Sequence, residues 1–358
     1  MFQHGVTFFE KGDYENALVY FANANFLNSN DSIRGWVKST KMGIEAYENF
    51  SAGYPDKAKR TYEEIVQKYP THSKYAIAQI KQVDWYYAVL ENAIEEMGRP
   101  LHEIDSLDLS EKSLKTISID QLKHLRYLNL NGSGLKDYSI LKKLQRLRFL
   151  DLGESAIKNI DFLKEMPKIE MLNLNYAKIK NYSVLEELPN LYSLSVSSCE
   201  LDNAAFLKNL KGLKNLDISD NTVENYAVLS NLTQLDTLDI SLNSDIRDYS
   251  FCEQTPSIRH LNLRGNEFKN IDFLAKMPQL KMLEISDCQL INIEPMGKLI
   301  NLVALDIGSN HTIKDYSPLG KLDQITALYL VSSTIKDFSF LTEMSSLETL
   351  ELDYNNTD

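Results

Sequence analysis

LKNLDISDNTV (213–223) sets apolar residues at its first, fourth, sixth and eleventh places and an asparagine at its ninth. The alternation around the fourth and sixth places is the mark of a short, half-buried strand. Slid along the chain, the template LxxLxLxxNxI fits LRYLNLNGSGL (125–135), LRFLDLGESAI (147–157), IEMLNLNYAKI (169–179) and LYSLSVSSCEL (191–201), each 22 residues after the last. It continues from Leu235, Ile258, Leu280, Leu302, Ile325 and Leu347, and a weaker first copy, IDSLDLSEKSL, starts at Ile104. Twelve copies result. Two of the steps are 23 residues long, each with one residue added beside the asparagine, in NSDI (243–246) and NHTI (310–313).

One such unit cannot bury its apolar face alone, so the copies must stack, with the leucines inward and the strands side by side in a parallel sheet. The second half of each copy supplies further inward residues. One column reads Tyr138, Ile160, Tyr182, Tyr226, Tyr249, Ile271, Ile293, Tyr316 and Phe338. The Ser or Asp that follows in several copies, at Ser139, Asp161, Ser183, Asp272 and Ser317, is expected to cap a short helical turn. Place nine holds Asn221, Asn243, Asn266, Asn310 and Asn355, whose amides can bond the backbone of neighbouring turns. Cys199 and Cys288 occupy the same place and read as members of that ladder, while Cys252 occupies a leucine position. Three unpaired, buried thiols point to a reducing compartment, and a cytoplasmic location is expected.

These repeats resemble the leucine-rich repeat family over residues 104 to 358. Their length, and tails such as IKDYSPLGKL (313–322), are similar to the internalin and phosphatase-regulator classes. The resemblance implies an α/β solenoid, a curved array with a parallel concave sheet, and a role in binding other proteins.

Before residue 100 the apolar period becomes helical. GVTFFEKGDYENALVYFANA (5–24), with Gly5, Phe8, Gly12, Tyr14, Ala17, Phe21 and Ala24, resembles a tetratricopeptide repeat, and a looser copy carries Gly53, Ala58, Tyr62 and Pro70. A further helix is expected through Ile80, Val83, Tyr87, Leu90 and Ile94, ended by Gly98 and Pro100. About five helices are expected. The expected domains are an all-α, TPR-like helical domain over 1–99 and the leucine-rich repeat domain over 100–358, its last repeat cut short. The lysine and asparagine with which some tetratricopeptide domains clamp a carboxylate are replaced by Phe2 and Val6.

Net charge is −12, divided as −2 over residues 1–100 and −10 over the remainder. That acidity disfavours nucleic acid and anionic membranes as partners. No apolar run of about 18 residues is present to span a bilayer, and the N-terminus does not read as a signal peptide. The histidines at 4, 72, 102, 124, 260 and 311 are scattered, and no phosphate-binding glycine loop or metal-ligand spacing occurs. No catalytic residue, metal or cofactor is expected.

Places three and five of each copy face away from the leucines. Place three carries three successive large apolar residues, Tyr127, Phe149 and Met171, flanked by Tyr192 and Tyr176. Place five is rich in acids, among them Asp151, Asp217 and Asp239. Exposed aromatic and apolar side chains grouped in this way mark a contact surface. The expected role is a non-enzymatic scaffold that binds a protein or peptide with basic and apolar features on repeats two to five. Two alternatives are a recognition arm of a larger signalling enzyme, which the array's stop within ELDYNNTD (351–358) would allow, and an internalin-like surface adhesin.

Overall fold

The computed structural model describes residues 31–51, 55–69, 105–112, 114, 122–223, 225–244, 246, 248–268 and 270–355, together with Ala17. The chain divides into two compact units, residues 1–147 and 148–358. The boundary expected near residue 100 lies outside the described residues. So do most of the first tetratricopeptide-like copy, the helix expected over Ile80 to Ile94, and Gly53 and Pro70 of the second copy.

In the first unit two helices are described, α1 (Asp31–Ser51) and α2 (Pro55–Lys68). Proline at the first position of α2 costs no hydrogen bond there. Ala46 of α1 packs with Ala58, Tyr62 and Ile65 of α2, all four fully buried. The small side chains of Ala46 and Ala58 let the two helices approach closely. Two strands follow, β1 (Ser106–Asp108) and β2 (Tyr127–Asn129), paired in parallel with Leu107 opposite Leu128.

The second unit is built from β3 (Phe149–Asp151), β4 (Met171–Asn173), β5 (Ser193–Ser195), β6 (Asn215–Asp217), β7 (Thr237–Asp239), β8 (His260–Asn262), β9 (Met282–Glu284), β10 (Ala304–Asp306), β11 (Ala327–Tyr329) and β12 (Thr349–Glu351). Each pairs in parallel with the next, in chain order and without a register shift. All twelve strands occupy places three to five of a repeat. The central leucines are buried from Leu150 through Leu328, and Leu350 on the edge strand β12 is exposed.

Place nine forms the expected ladder. Asn221 Nδ2 donates to the Val196 carbonyl of the preceding repeat (3.0 Å), and Asn243 Nδ2 to that of Ile218 (3.1 Å). Each amide oxygen accepts a backbone N–H from the preceding repeat: Cys199 to Asn221 (3.1 Å), Asn221 to Asn243 (3.0 Å) and Asn243 to Asn266 (2.7 Å). Asn243 Oδ1 also accepts the Tyr226 hydroxyl (3.0 Å), which ties the inward tyrosine column to the ladder. In the two longer repeats the added residue is absorbed by turns closed from Ile246 N to the Asn243 carbonyl and from Ile313 N to the Asn310 carbonyl.

The return segments hold five-residue 3-10 helices, Ser139–Lys143 in the first unit and nine more, from Asp161–Glu165 to Ser339–Glu343, in the second. Their caps are not where the sequence pattern puts them. Ser139, Asp161, Ser183, Asp272 and Ser317 are the first helical residues, and it is their N–H groups that are satisfied, by side chains two positions earlier. Ser139 N donates to Asp137 Oδ1 (2.8 Å), Asp161 N to Asn159 Oδ1 (2.7 Å), Ser183 N to Asn181 Oδ1 (3.0 Å), Asp272 N to Asn270 Oδ1 (3.3 Å) and Ser317 N to Asp315 Oδ1 (2.9 Å). An Asp or Asn side chain reaching two residues forward is the favoured local turn. Hydrogen bonding from the Ser317 hydroxyl, and then from its N–H, holds the Asp315 carboxyl below the usual carboxylate range.

Candidate functional site

The open face of the sheet carries the residues singled out from sequence. Phe149 and Met171 stand opposite each other on β3 and β4, and Met171 in turn faces Ser193 on β5. Both are half-buried, while the leucine that follows each along its strand, Leu150 or Leu172, is in the core. Tyr192, directly before β5, is also half-buried. Tyr127 holds the equivalent place on β2 in the first unit and has the same intermediate exposure.

Tyr176 lies beyond the strand, in the turn after β4, with 58 % of its surface exposed. A cavity of about 710 Å³ opens beside it, lined also by Glu154, Ala156, Ile157, Lys158 and Lys178. Lys178 is engaged at 2.6 Å by Glu200. The Tyr176 backbone is left-handed, with φ of 62°.

That left-handed turn is general. Place eight has positive φ in all twelve repeats: Glu111, Gly132, Glu154, Tyr176, Ser198, Asp220, Leu242, Gly265, Asp287, Ser309, Ser332 and Tyr354. Only two of these are glycine, so the array keeps ten L side chains in a conformation that costs them about 1 kcal/mol each. At Gly265 an added Cβ would also lie 2.5 Å from the Leu242 side chain of the preceding repeat.

The acidic column has a structural task of its own. Asp151 accepts the Gly153 N–H (2.8 Å) and the Asn173 amide (3.0 Å). Asp217 accepts the Ser219 N–H (3.1 Å) and hydroxyl (2.6 Å) and the Ser195 hydroxyl (2.6 Å). Asp239 accepts the Ser241 N–H (2.9 Å) and hydroxyl (2.6 Å) and the Asn262 amide (2.8 Å). Place five therefore caps the turn into place seven and links neighbouring strands. Asp217 and Asp239 stand opposite each other, and Asp151 lies apart from them beside Asn173.

Glu284 departs from this column. Its longer side chain caps no turn, and among the described residues it has no hydrogen-bond or ion-pair partner. Burial, then Asp239 and then Asp306 raise its pKa above the ordinary glutamate value, against an opposing pull from Arg264. Met282, two residues earlier on β9, is 42 % exposed, and Val303 beside β10 is 36 % exposed. Sequence reading already sets Glu284 beside Asp306 as a like-charge pair, but Met282 and Val303 are not singled out by it, because it looks for the largest side chains rather than for large side chains beside small ones.

The three cysteines are buried and unpaired. Cys199 Sγ donates to the Leu174 carbonyl (3.1 Å) and Cys288 Sγ to that of Leu263 (3.2 Å). Burial raises all three thiols, that of Cys288 to about 12, which removes the thiolate that chemistry would need. Among the described residues no three His, Cys, Asp or Glu side chains are placed to hold a metal ion, and no helix is long and apolar enough to cross a membrane.

Solved structures place this architecture. An internalin of Listeria monocytogenes is 30 % identical, with a TM-score of 0.62 over 71 % of this chain and 75 % of that one. The chain belongs to the leucine-rich repeat family. A leucine-rich repeat protein of Leptospira interrogans shares the fold at 19 % identity and a TM-score of 0.54, over 74 % of this chain and 87 % of that one. A TDR receptor does so at 22 % identity and 0.56, over 71 % of this chain and 48 % of the receptor. No family model and no curated protein matches the sequence. In this leucine-rich repeat chain the strand face of the second unit carries Phe149, Met171, Asp151, Asp217 and Asp239, while Tyr176 lies in the turn beyond it.

Proposed function

We propose that the array is a non-enzymatic scaffold that holds a protein or peptide partner on its concave strand face. The observation that carries this is the outward placement of Phe149 and Met171 on adjacent strands, with Tyr192 and the exposed Tyr176 beside them. Large apolar side chains held at fixed spacing on a rigid sheet present contact area at little entropic cost. The partner carries apolar side chains for this patch and basic ones for the acidic column of Asp151, Asp217 and Asp239. The helices α1 and α2 are read as part of a TPR-like domain.

Affinity capture from the native lysate, run with wild type and with the Phe149→Ala/Met171→Ala double variant, tests the reading. Loss of the captured partner at unchanged circular dichroism supports it. Equal capture removes the patch from the binding surface.

The likeness to an internalin favours a second reading, a surface adhesin. Cell fractionation separates it from a cytoplasmic scaffold, for which the three buried free thiols speak.

A further inference from the structure

The most exposed apolar side chains of the strand face do not lie on β3 and β4. Met282 on β9 and Val303 at the entry to β10 are outward and more exposed than Phe149 and Met171. Across the sheet Met282 is followed in register by Ala304 and Ala327, so its row drops from a long side chain to two methyl groups. That step leaves a shallow apolar notch. The adjacent row, two residues further along each strand, reads Glu284, Asp306 and Tyr329. Asp306 is engaged with the Gly308 N–H (3.0 Å), whereas Glu284 has no partner among the described residues. Two outward rows of one strand are about 6.7 Å apart, the distance between alternate side chains of an extended chain.

We propose that this face of β9 to β11 docks an extended basic segment of a protein partner, with an apolar side chain in the Ala304–Ala327 notch against Met282 and a lysine or arginine, two residues away, on Glu284 and Asp306. The segment has the pattern apolar–any–basic. The charge commits the occupant: two neighbouring carboxylates disfavour each other across a parallel pair, and a cation between them reverses the sign of that interaction. An acidic or neutral segment leaves Glu284 desolvated and unpaired, which costs affinity. The inference rests on the scaffold reading but uses a different part of the wall from Phe149 and Met171.

A random dodecapeptide library selected against the full chain tests it. Wild type is expected to enrich the apolar–any–basic pattern, and a labelled peptide of that pattern is expected to bind about tenfold more weakly to Glu284→Gln and to Met282→Ala. The Phe149→Ala/Met171→Ala variant is expected to bind it as wild type does, so loss of the native partner in that variant and loss of the peptide here are separate results. No enriched pattern, a pattern without a basic residue, or binding unchanged by both Glu284→Gln and Met282→Ala overturns the proposal.

Discussion

Cys199 Sγ and Asn221 Nδ2 make the same bond one repeat apart: the thiol donates to the Leu174 carbonyl and the amide to the Val196 carbonyl, each 25 residues earlier in the chain. A thiol thus replaces an amide donor in the ladder. Cys199→Ala removes the donor without adding bulk, leaving a buried carbonyl with one bond fewer. A loss of about 1–2 kcal/mol is expected in urea unfolding, and Cys199→Ser, which keeps a donor, is expected to lose less.

The same burial makes a pH prediction. The folded-state thiol pKa values lie above the ordinary value, with Cys288 at about 12. The thiols therefore stay protonated in the native state at pH 8, while an unfolded chain begins to ionise there. Because the unfolded state loses protons first, stability falls as the pH rises through the ordinary thiol range. Native protein at pH 8 is expected to resist iodoacetamide at all three cysteines and to react only after denaturation.

Gly308 closes the turn after β10, where an added Cβ would lie 2.7 Å from the Val331 carbonyl oxygen and 3.2 Å from its nitrogen. Backbone cannot swing aside as a side-chain tip can. Gly308→Ala is expected to cost about 1–3 kcal/mol in thermal or urea unfolding. Gly212, whose nearest neighbour is the Leu191 carbonyl at 3.9 Å, should accept alanine with little change.

On the proposed reading, Tyr176 joins backbone strain to partner contact. Its left-handed backbone suits glycine or asparagine better than tyrosine. Tyr176→Asn is expected to raise stability by up to about 1 kcal/mol while weakening capture of the partner. A substitution that strengthens the fold and weakens binding together would identify the tyrosine as kept for contact.

Glu284 gives the opposite pH sign from a paired carboxylate. Its folded-state pKa is raised, so the native state holds this proton to higher pH than the unfolded state does. Stability from this group is present below the unfolded pKa and declines as the pH climbs through the folded one. Glu284→Gln is expected to raise stability in urea unfolding slightly at neutral pH, by roughly a few tenths of a kcal/mol because the carboxyl is partly solvated, and to make little difference near pH 4.

The strands were legible because a core position accepts few side chains: Leu150, Leu172 and Leu194 recur at one spacing and fix the register of the second unit. The ladder was legible for the same reason, even through Cys199 and Cys288. The left-handed turn was not. It is a demand on the backbone, met by Glu154, Tyr176, Asp220 and Leu242 alike, and no shared side-chain chemistry marks it. The caps were misplaced because Asp137 and Ser139 are both able to cap, and only geometry chooses between them. Exposure on the open face was legible in direction but not in degree. Phe149 and Met171 are half-buried and Met282 is exposed, although all three hold the same outward place of a repeat.

The most direct test of a strand-face contact is site-specific photo-cross-linking in the native cell, with the photoreactive residue at Met171 on the open face or at Glu165 on the exposed 3-10 side. Cross-links to one partner from position 171 and none from 165 are the expected result. Partner cross-links from 165 with none from 171 would contradict it and move the function to the opposite side of the solenoid.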